Sequence, residues 1–326
     1  MPVDPTLASF GDLAYGTALV LYLLVLALQA VEYAAAGAPA AVVQRVGVSG
    51  GARGGVATVA PPEVVSPDQL PQRRGRSERI GRSAVALLGL AALVHVGSLV
   101  LRGAAIGRVP WGNMYEFTSA ICFVAVSVWL IVLYRQRTGA PRLRRLGVFL
   151  LLPVVVLMGL GGTVLYAKAA PLVPALNSYW IAIHVSAAAT ATGILLVSGV
   201  ASVLYLVRER AGDVTSRFTA ALPASPVLDR LAYRTAVVAF PIWTFGIMTG
   251  AIWAEAAWGR YWGWDPKETC ALIAWVVYAG YLHARATAGW RGSGAAWINV
   301  GGLAVMLFNL FFVNIVIAGF HSYAGI

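Results

Sequence analysis

Charge is scarce in this chain: 11% of its 326 residues are Asp, Glu, Lys or Arg, while 59% are hydrophobic. A soluble domain has about a quarter of its residues charged, so an ordinary water-soluble globule is excluded. Cysteine is scarcer still. Cys122 and Cys270 are the only two, and they lie too far apart to form a C-x-x-C pair, which excludes a dithiol redox motif. Acidic residues number 13 against 24 basic ones, and the apolar runs hold almost none of them, so a buried acid–base pair finds little support. Histidine occurs four times. No internal repeat is visible, so the inverted-repeat signature of many secondary transporters is missing.

Long apolar runs are what the chain has instead. Spans are predicted at about 12–34, 82–101, 115–134, 146–166, 179–207, 235–253, 268–289 and 295–319, each near the ~20 residues that one helix needs to cross the hydrocarbon core. Nothing alternates as a barrel strand would. The fold class is therefore an all-α polytopic membrane protein of about eight transmembrane helices. Its net charge of +11 is distributed by side: Arg73, Arg74, Arg76, Arg142, Arg144, Arg145, Arg208 and Arg291 fall between alternate spans, with few on the other side. By the positive-inside rule the arginine-rich loops are cytoplasmic and both termini lie outside. The basic balance thus encodes topology, and no nucleic-acid partner is expected.

The first apolar run lacks a basic leader and a persuasive cleavage site, so 1–34 reads as a retained N-terminal span. Residues 35–81 are rich in Gly, Ala, Pro and Arg without periodicity, and read as a disordered cytoplasmic linker. They separate the first helix from a seven-helix domain over 82–326. Pro153 and Pro241 fall within spans.

The stretch "WAEAAWGRYWGWDPKE" puts Trp253, Trp258, Trp262, Trp264 and Tyr261 into one segment, together with Glu255, Arg260, Asp265, Lys267 and Glu268. By the charge count it is an outer loop between spans six and seven. His184, in "LNSYWIAIH", sits just inside the outer end of span five, four residues after Trp180 and on the same helix face. His321, in "FHSYAG", lies just beyond the outer end of the last span. Two imidazoles and a bed of aromatic rings on one membrane surface suit a flat, iron-bearing macrocycle, since haem takes histidine as an axial ligand. Arg260 and Lys267 could then pair with its propionates, with Asp265 and Glu268 holding those cations. His283, in "YLHAR", falls towards the cytoplasmic side, and His95 lies in the outer half of span two. The blander alternatives stand beside these. Tryptophans form interfacial belts without binding anything, and single histidines at helix ends are commonly hydrogen-bonders. No C-x-x-C-H occurs, so the chain is not itself a c-type cytochrome. A di-haem electron-transfer subunit would need histidine pairs across facing spans, and a small-molecule transporter would use the aromatic loop as a gate.

"WGRYWGWDPKE", with "SYWIAIH" before it and "YLHAR" and "FHSYAG" after it, resembles the WWD signature of the CcsA-type haem-handling proteins of cytochrome c biogenesis, relatives of the CcmC and CcmF families. "GRVPWGNMYEF" looks like that family's first outer loop, and the resemblance covers about residues 80–326. It implies that His184 and His321 serve as axial ligands of haem b at an outer site, over a cradle of Trp253, Trp258, Trp262 and Trp264. It also implies that His283 belongs to an inner haem site completed by a ResB/CcsB-type membrane partner. The implied activity is system II haem export, followed by attachment of haem to apocytochrome c with a Cys-x-x-Cys-His segment, as part of a complex. A thioredoxin-like thiol reductant and a bacterial plasma membrane with an extracytoplasmic site are implied as well. Asp265 is expected to hold the loop, and His95 has no counterpart in the resemblance.

Overall fold

The computed structural model describes residues 3–36, 75–136, 141–172, 174–212, 216–287, 290 and 292–317. Helices α1 (Pro5–Ala36), α2 (Arg76–Ile106) and α3 (Met114–Arg135) are followed by a short α4 (Pro141–Arg144) and α5 (Gly147–Thr163). Then come α6 (Tyr179–Ala211), a short α7 (Arg217–Ala221), α8 (Ser225–Trp258), α9 (Pro266–Ala286) and α10 (Ser293–Ile315). Among the described residues there is no strand. The chain is a polytopic helical membrane protein, as lipid requires of a backbone that must satisfy its own hydrogen bonds.

Local chemistry sets the helix ends. Asn113 accepts the Glu116 amide at 2.9 Å to start α3, and Ser178 accepts the Trp180 amide to start α6. Gly107 and Gly259 terminate α2 and α8 with φ of 63° and 70°, the left-handed conformation that glycine adopts without penalty. Among the described residues, seven helices are long and apolar enough to cross a membrane. The eighth expected span forms as α9, 21 residues long, but it is not among those seven, because Lys267, Glu268, His283 and Arg285 dilute its apolar content. It nonetheless runs beside α8 and α10 from end to end: Lys267 Nζ meets Asn314 Oδ1 at one end, and Arg285 grips Asp229 at the other with bonds of 2.6 and 2.8 Å.

The central helix is α6, with 78% of its most apolar window buried against 44% or less in the other six. Its run of small residues, Ala187, Ala188, Ala189, Ala191 and Gly193, lets α3 and α8 approach closely. A Cβ at Gly193 would stand 2.7 Å from Val124 Cβ and 2.8 Å from Ile121 O on α3. One core joins α1, α2, α3, α5 and α6, and a second joins α6, α8, α9 and α10. Between α6, α8 and α10, Asn299 donates to Ser198 Oγ at 2.8 Å and Ser202 Oγ at 2.7 Å, while Ser198 donates to Ala232 O at 2.7 Å.

Two sequence expectations shift. The first helix is not set apart from the rest: Tyr15, Ala18, Tyr22 and Val25 lie in the larger core. The helices also take in both ends of the expected 35–81 linker, because α1 continues to Ala36 and α2 begins at Arg76, where Glu78 pairs with Arg82 one turn on at 3.1 Å. Residues 37–74 lie outside the described residues. His95 finds its place here. Fully buried, it shares Nδ1 with the Tyr22 hydroxyl at 3.1 Å and Nε2 with the Ser119 hydroxyl at 2.9 Å, tying α1, α2 and α3 together.

Nearby, Glu32 of α1 is fully buried and ion-paired with Arg144. Removing one member of a buried pair strands the other charge, at a cost of about 3–5 kcal/mol. Arg144→Gln is therefore expected to lower the melting temperature in detergent strongly. Glu32→Gln added to it should recover much of the loss in the same thermal scan.

Candidate functional site

The tryptophan-rich segment closes with a capping box. Asp265, buried at the start of α9, accepts the Lys267 amide at 3.2 Å and caps the N3 amide of Glu268. Glu268 reaches back to accept the amides of Asp265 at 3.1 Å and Gly263 at 2.8 Å. Pro266 occupies the first helical position, where its missing N–H costs nothing. This chemistry is written in "WDPKE" and folds the loop back over the bundle. Trp264 takes φ +59° within it, the only positive-φ non-glycine residue among those described. That conformation costs an ordinary residue about 1–2 kcal/mol, so the turn holds a strained tryptophan where glycine would relax it.

Beneath the loop lies a cavity of about 1210 Å³, open mouth included, walled by α6, α8, α9, α10 and the loop leading into α3. Its walls reach Thr192, 13 residues into α6, and Trp243, 15 residues from the end of α8. At 1.5 Å per residue that is a depth of about 20 Å. The lining is largely apolar and aromatic, with Trp111, Phe117, Trp243, Trp253, Trp258 and Trp262 among its members. Three buried polar atoms on its walls, Trp243 Nε1, Glu268 Oε1 and Asn309 Oδ1, have no hydrogen-bond partner among the described residues. Such groups can take a ligand or water as partner.

His184 stands in this cavity. Its Nδ1 donates to Gly246 O of α8 at 2.8 Å, which puts the proton on Nδ1 and the lone pair on Nε2. A backbone carbonyl holding one ring nitrogen while the other serves as ligand is the usual arrangement of a metal-binding imidazole. The ring stacks on Trp253 with centroids 6.1 Å apart and planes 6° apart, and Trp253 meets Trp258 edge-on at 4.7 Å. A Cβ at Gly250 would stand 2.7 Å from the imidazole, closer than real carbons approach, so only glycine leaves this space. Among the described residues no three His, Cys, Asp or Glu side chains converge as a bare metal site.

The structure thus brings His184, Trp253, Trp258, Trp262 and Lys267 to one cavity. Arg260 is not on its wall. The guanidinium lies over Trp258, 5.8 Å from the ring centroid, and 3.8 Å from Glu268. Trp264 is at the rim, 68% exposed and edge-on to Trp262 at 5.8 Å. His283 is near the far end of α9 and exposed, on the face that Ile273 and Val276 also present outward. His321 lies outside the described residues. The wall built from Trp111, Met114 and Phe117 was not among the expected site residues, although "PWGNMYEF" had marked the loop.

The site is a deep aromatic slot with one oriented imidazole at its wall, set in a multi-pass helical bundle, and its shape and lining suit a flat apolar ligand. Residues 111–321 match the family model described as cytochrome C assembly protein. Over 264 residues the chain is 37% identical to the cytochrome c biogenesis protein CcsA of Synechococcus sp. strain RCC307, covering 73% of this chain and 84% of that protein. It is 35% identical over 287 residues to the protein of that name in strain CC9311, covering 76% and 90%. A third relative of the same name, in Prochlorococcus marinus strain MIT 9303, is 35% identical over 265 residues, covering 73% and 82%. The chain belongs to the cytochrome c assembly protein family.

Asp265→Ala removes the cap of α9 and is expected to cost about 0.5–2 kcal/mol, whereas Asn at this position still caps. In hydrogen–deuterium exchange, peptides over 263–269 should exchange faster in Asp265→Ala and near the wild-type rate in Asp265→Asn.

Proposed function

We propose that this protein works in cytochrome c biogenesis of the system II type, receiving haem b as its substrate and presenting it for attachment to apocytochrome c. The observation that carries this reading is the His184 imidazole, held through Nδ1 by Gly246 O inside a cavity walled by indoles; in this reading Nε2 is its ligating atom. The residues suit the substrate. Imidazole ligates iron, aromatic faces and edges pack on a porphyrin, and Lys267 and Arg260 supply cations for its carboxylates.

In this reading His321 supplies the second axial imidazole, and the tryptophans of 253–264 cradle the ring between the two. The mouth faces the extracytoplasmic side of a bacterial plasma membrane. His283, turned outward on α9, contributes to an inner haem site with a ResB/CcsB-type membrane partner that brings the other ligand. The apocytochrome presents its Cys-x-x-Cys-His segment at the mouth. Each thiol S–H adds across one vinyl C=C, sulfur to one carbon and hydrogen to the other, so no oxidant is consumed. The thiols must arrive reduced, which a thioredoxin-like reductant provides. The chain's own contribution is to hold and orient the substrate, which turns a bimolecular addition into an effectively unimolecular one. Asp265 serves the loop rather than the ligand.

The test is the absorption spectrum of the detergent-purified protein, co-expressed with its partner, beside His184→Ala and His321→Ala. A low-spin haem spectrum in the wild type, weakened in either variant and restored by added imidazole, is the expected result. Haem unaffected by both changes would sink the reading. Gly250→Ala should lower haem occupancy by crowding the His184 ring. Asp265→Asn should lower it less than Trp262→Ala or Trp264→Ala does.

A further inference from the structure

The wall of the cavity supplied by the α2–α3 loop is held by one carboxylate. Glu116, the third residue of α3, is 1% exposed. It accepts Arg102 Nε at 3.0 Å and Arg108 Nη1 at 3.0 Å, and the Gly112 amide donates to it at 2.7 Å. The two cations reach further. Arg102 also donates to Ala167 O and lies 3.5 Å from Asp12 of α1, whose other oxygen accepts the Tyr166 hydroxyl at 2.6 Å. Arg108 donates to Ala170 O at 3.2 Å. Two guanidiniums and two carboxylates are thereby balanced, and the polypeptide over 108–112 is drawn down onto the bundle. Contact is tight enough that a Cβ at Gly112 would stand 2.6 Å from the Arg108 guanidinium.

Trp111 is the residue that this network delivers to the cavity. Its backbone precedes the Gly112 amide held by Glu116, and its indole Nε1 donates to Ser186 Oγ on α6 at 2.9 Å. Ser186 is two residues beyond His184 and is itself anchored to Ala182 O at 2.6 Å. The loop is therefore fastened at both ends, by a carboxylate at its backbone and by a hydroxyl at its indole, on the helix that carries the imidazole. The buried pair at the centre of this set, Arg102 and Glu116, is expensive to desolvate and weak evidence for stability alone. Its value here lies in fixing a place.

We infer that Glu116 is a positioning residue for the haem cavity: its carboxylate sets where Trp111 stands, and so how closely that wall fits a ring ligated by His184. The inference rests on the haem reading above. If Glu116 acts through Trp111, the two substitutions must be non-additive, as for any pair that works as one unit.

Ferric protohaem is titrated into the detergent-purified full-length chain. Glu116→Gln and Trp111→Ala are each expected to weaken binding about tenfold, within the range of coupled neighbours, and to shift the low-spin absorption band. The double variant should bind no more weakly than Trp111→Ala alone, and Glu116→Asp should recover part of the affinity. Ser186→Ala, which strands no charge, should move affinity and spectrum in the same direction by a smaller factor, so the test survives a Glu116→Gln chain that fails to fold. Additive losses would overturn the inference, as would wild-type affinity and spectrum in Glu116→Gln or in Ser186→Ala. A wild type that binds haem through His184 while these variants bind equally well removes this inference alone. A wild type that takes up no haem removes the haem reading and the inference with it.

Discussion

Inside a bilayer no water stands ready to satisfy a polar group, and the whole architecture follows from that constraint. The backbone answers it with helices. The side chains answer it in sets: His95 between two hydroxyls, Asn299 between two serines, Glu32 against Arg144, Glu116 between two arginines. Each set joins different helices, so the same bonds also fix which helices are neighbours.

The imidazole of the site is positioned by main chain. Gly246 and Gly250 are one turn apart on α8; the first offers the carbonyl that orients His184 and the second the space that its ring fills. A side-chain partner could swing away, whereas a helix carbonyl moves only with its helix. The position of the imidazole is thus tied to the packing of α6 on α8, and through Trp111 and Ser186 its helix is tied to the loop before α3.

Much of this was legible in the sequence. Apolar runs gave the long helices because a span must be continuous, and the arginine count sorted the loops by side. That sorting put His184 and the tryptophans on one surface, and the cavity unites them. Asp265, expected to hold the loop, caps α9. The rest was hidden for physical reasons. The α3 wall depends on α3 meeting α6 across Gly193, a steric match that no periodicity reports. Arg102 and Glu116 are 14 residues apart in sequence, yet bonded. Trp264 could not be foreseen at the rim, because its place depends on a left-handed turn that sequence rules assign to glycine. The N-terminal helix looked detached because the stretch after it reads as a linker, but its tyrosines are core residues of the same bundle.

The modest apolar content of α9 has a consequence for how the chain is made. Insertion into a membrane is decided helix by helix as the chain emerges, and charged residues weigh against it. When α9 leaves the ribosome, Asp229 on α8 is already in place for Arg285, but Asn314 on α10, the partner of Lys267, has not yet been synthesised. The one long helix without a fully apolar spanning stretch therefore commits before its shield exists. Should it stay out of the bilayer, the sense in which α10 crosses would reverse. The parity of the molecule turns on the one long helix least suited to lipid.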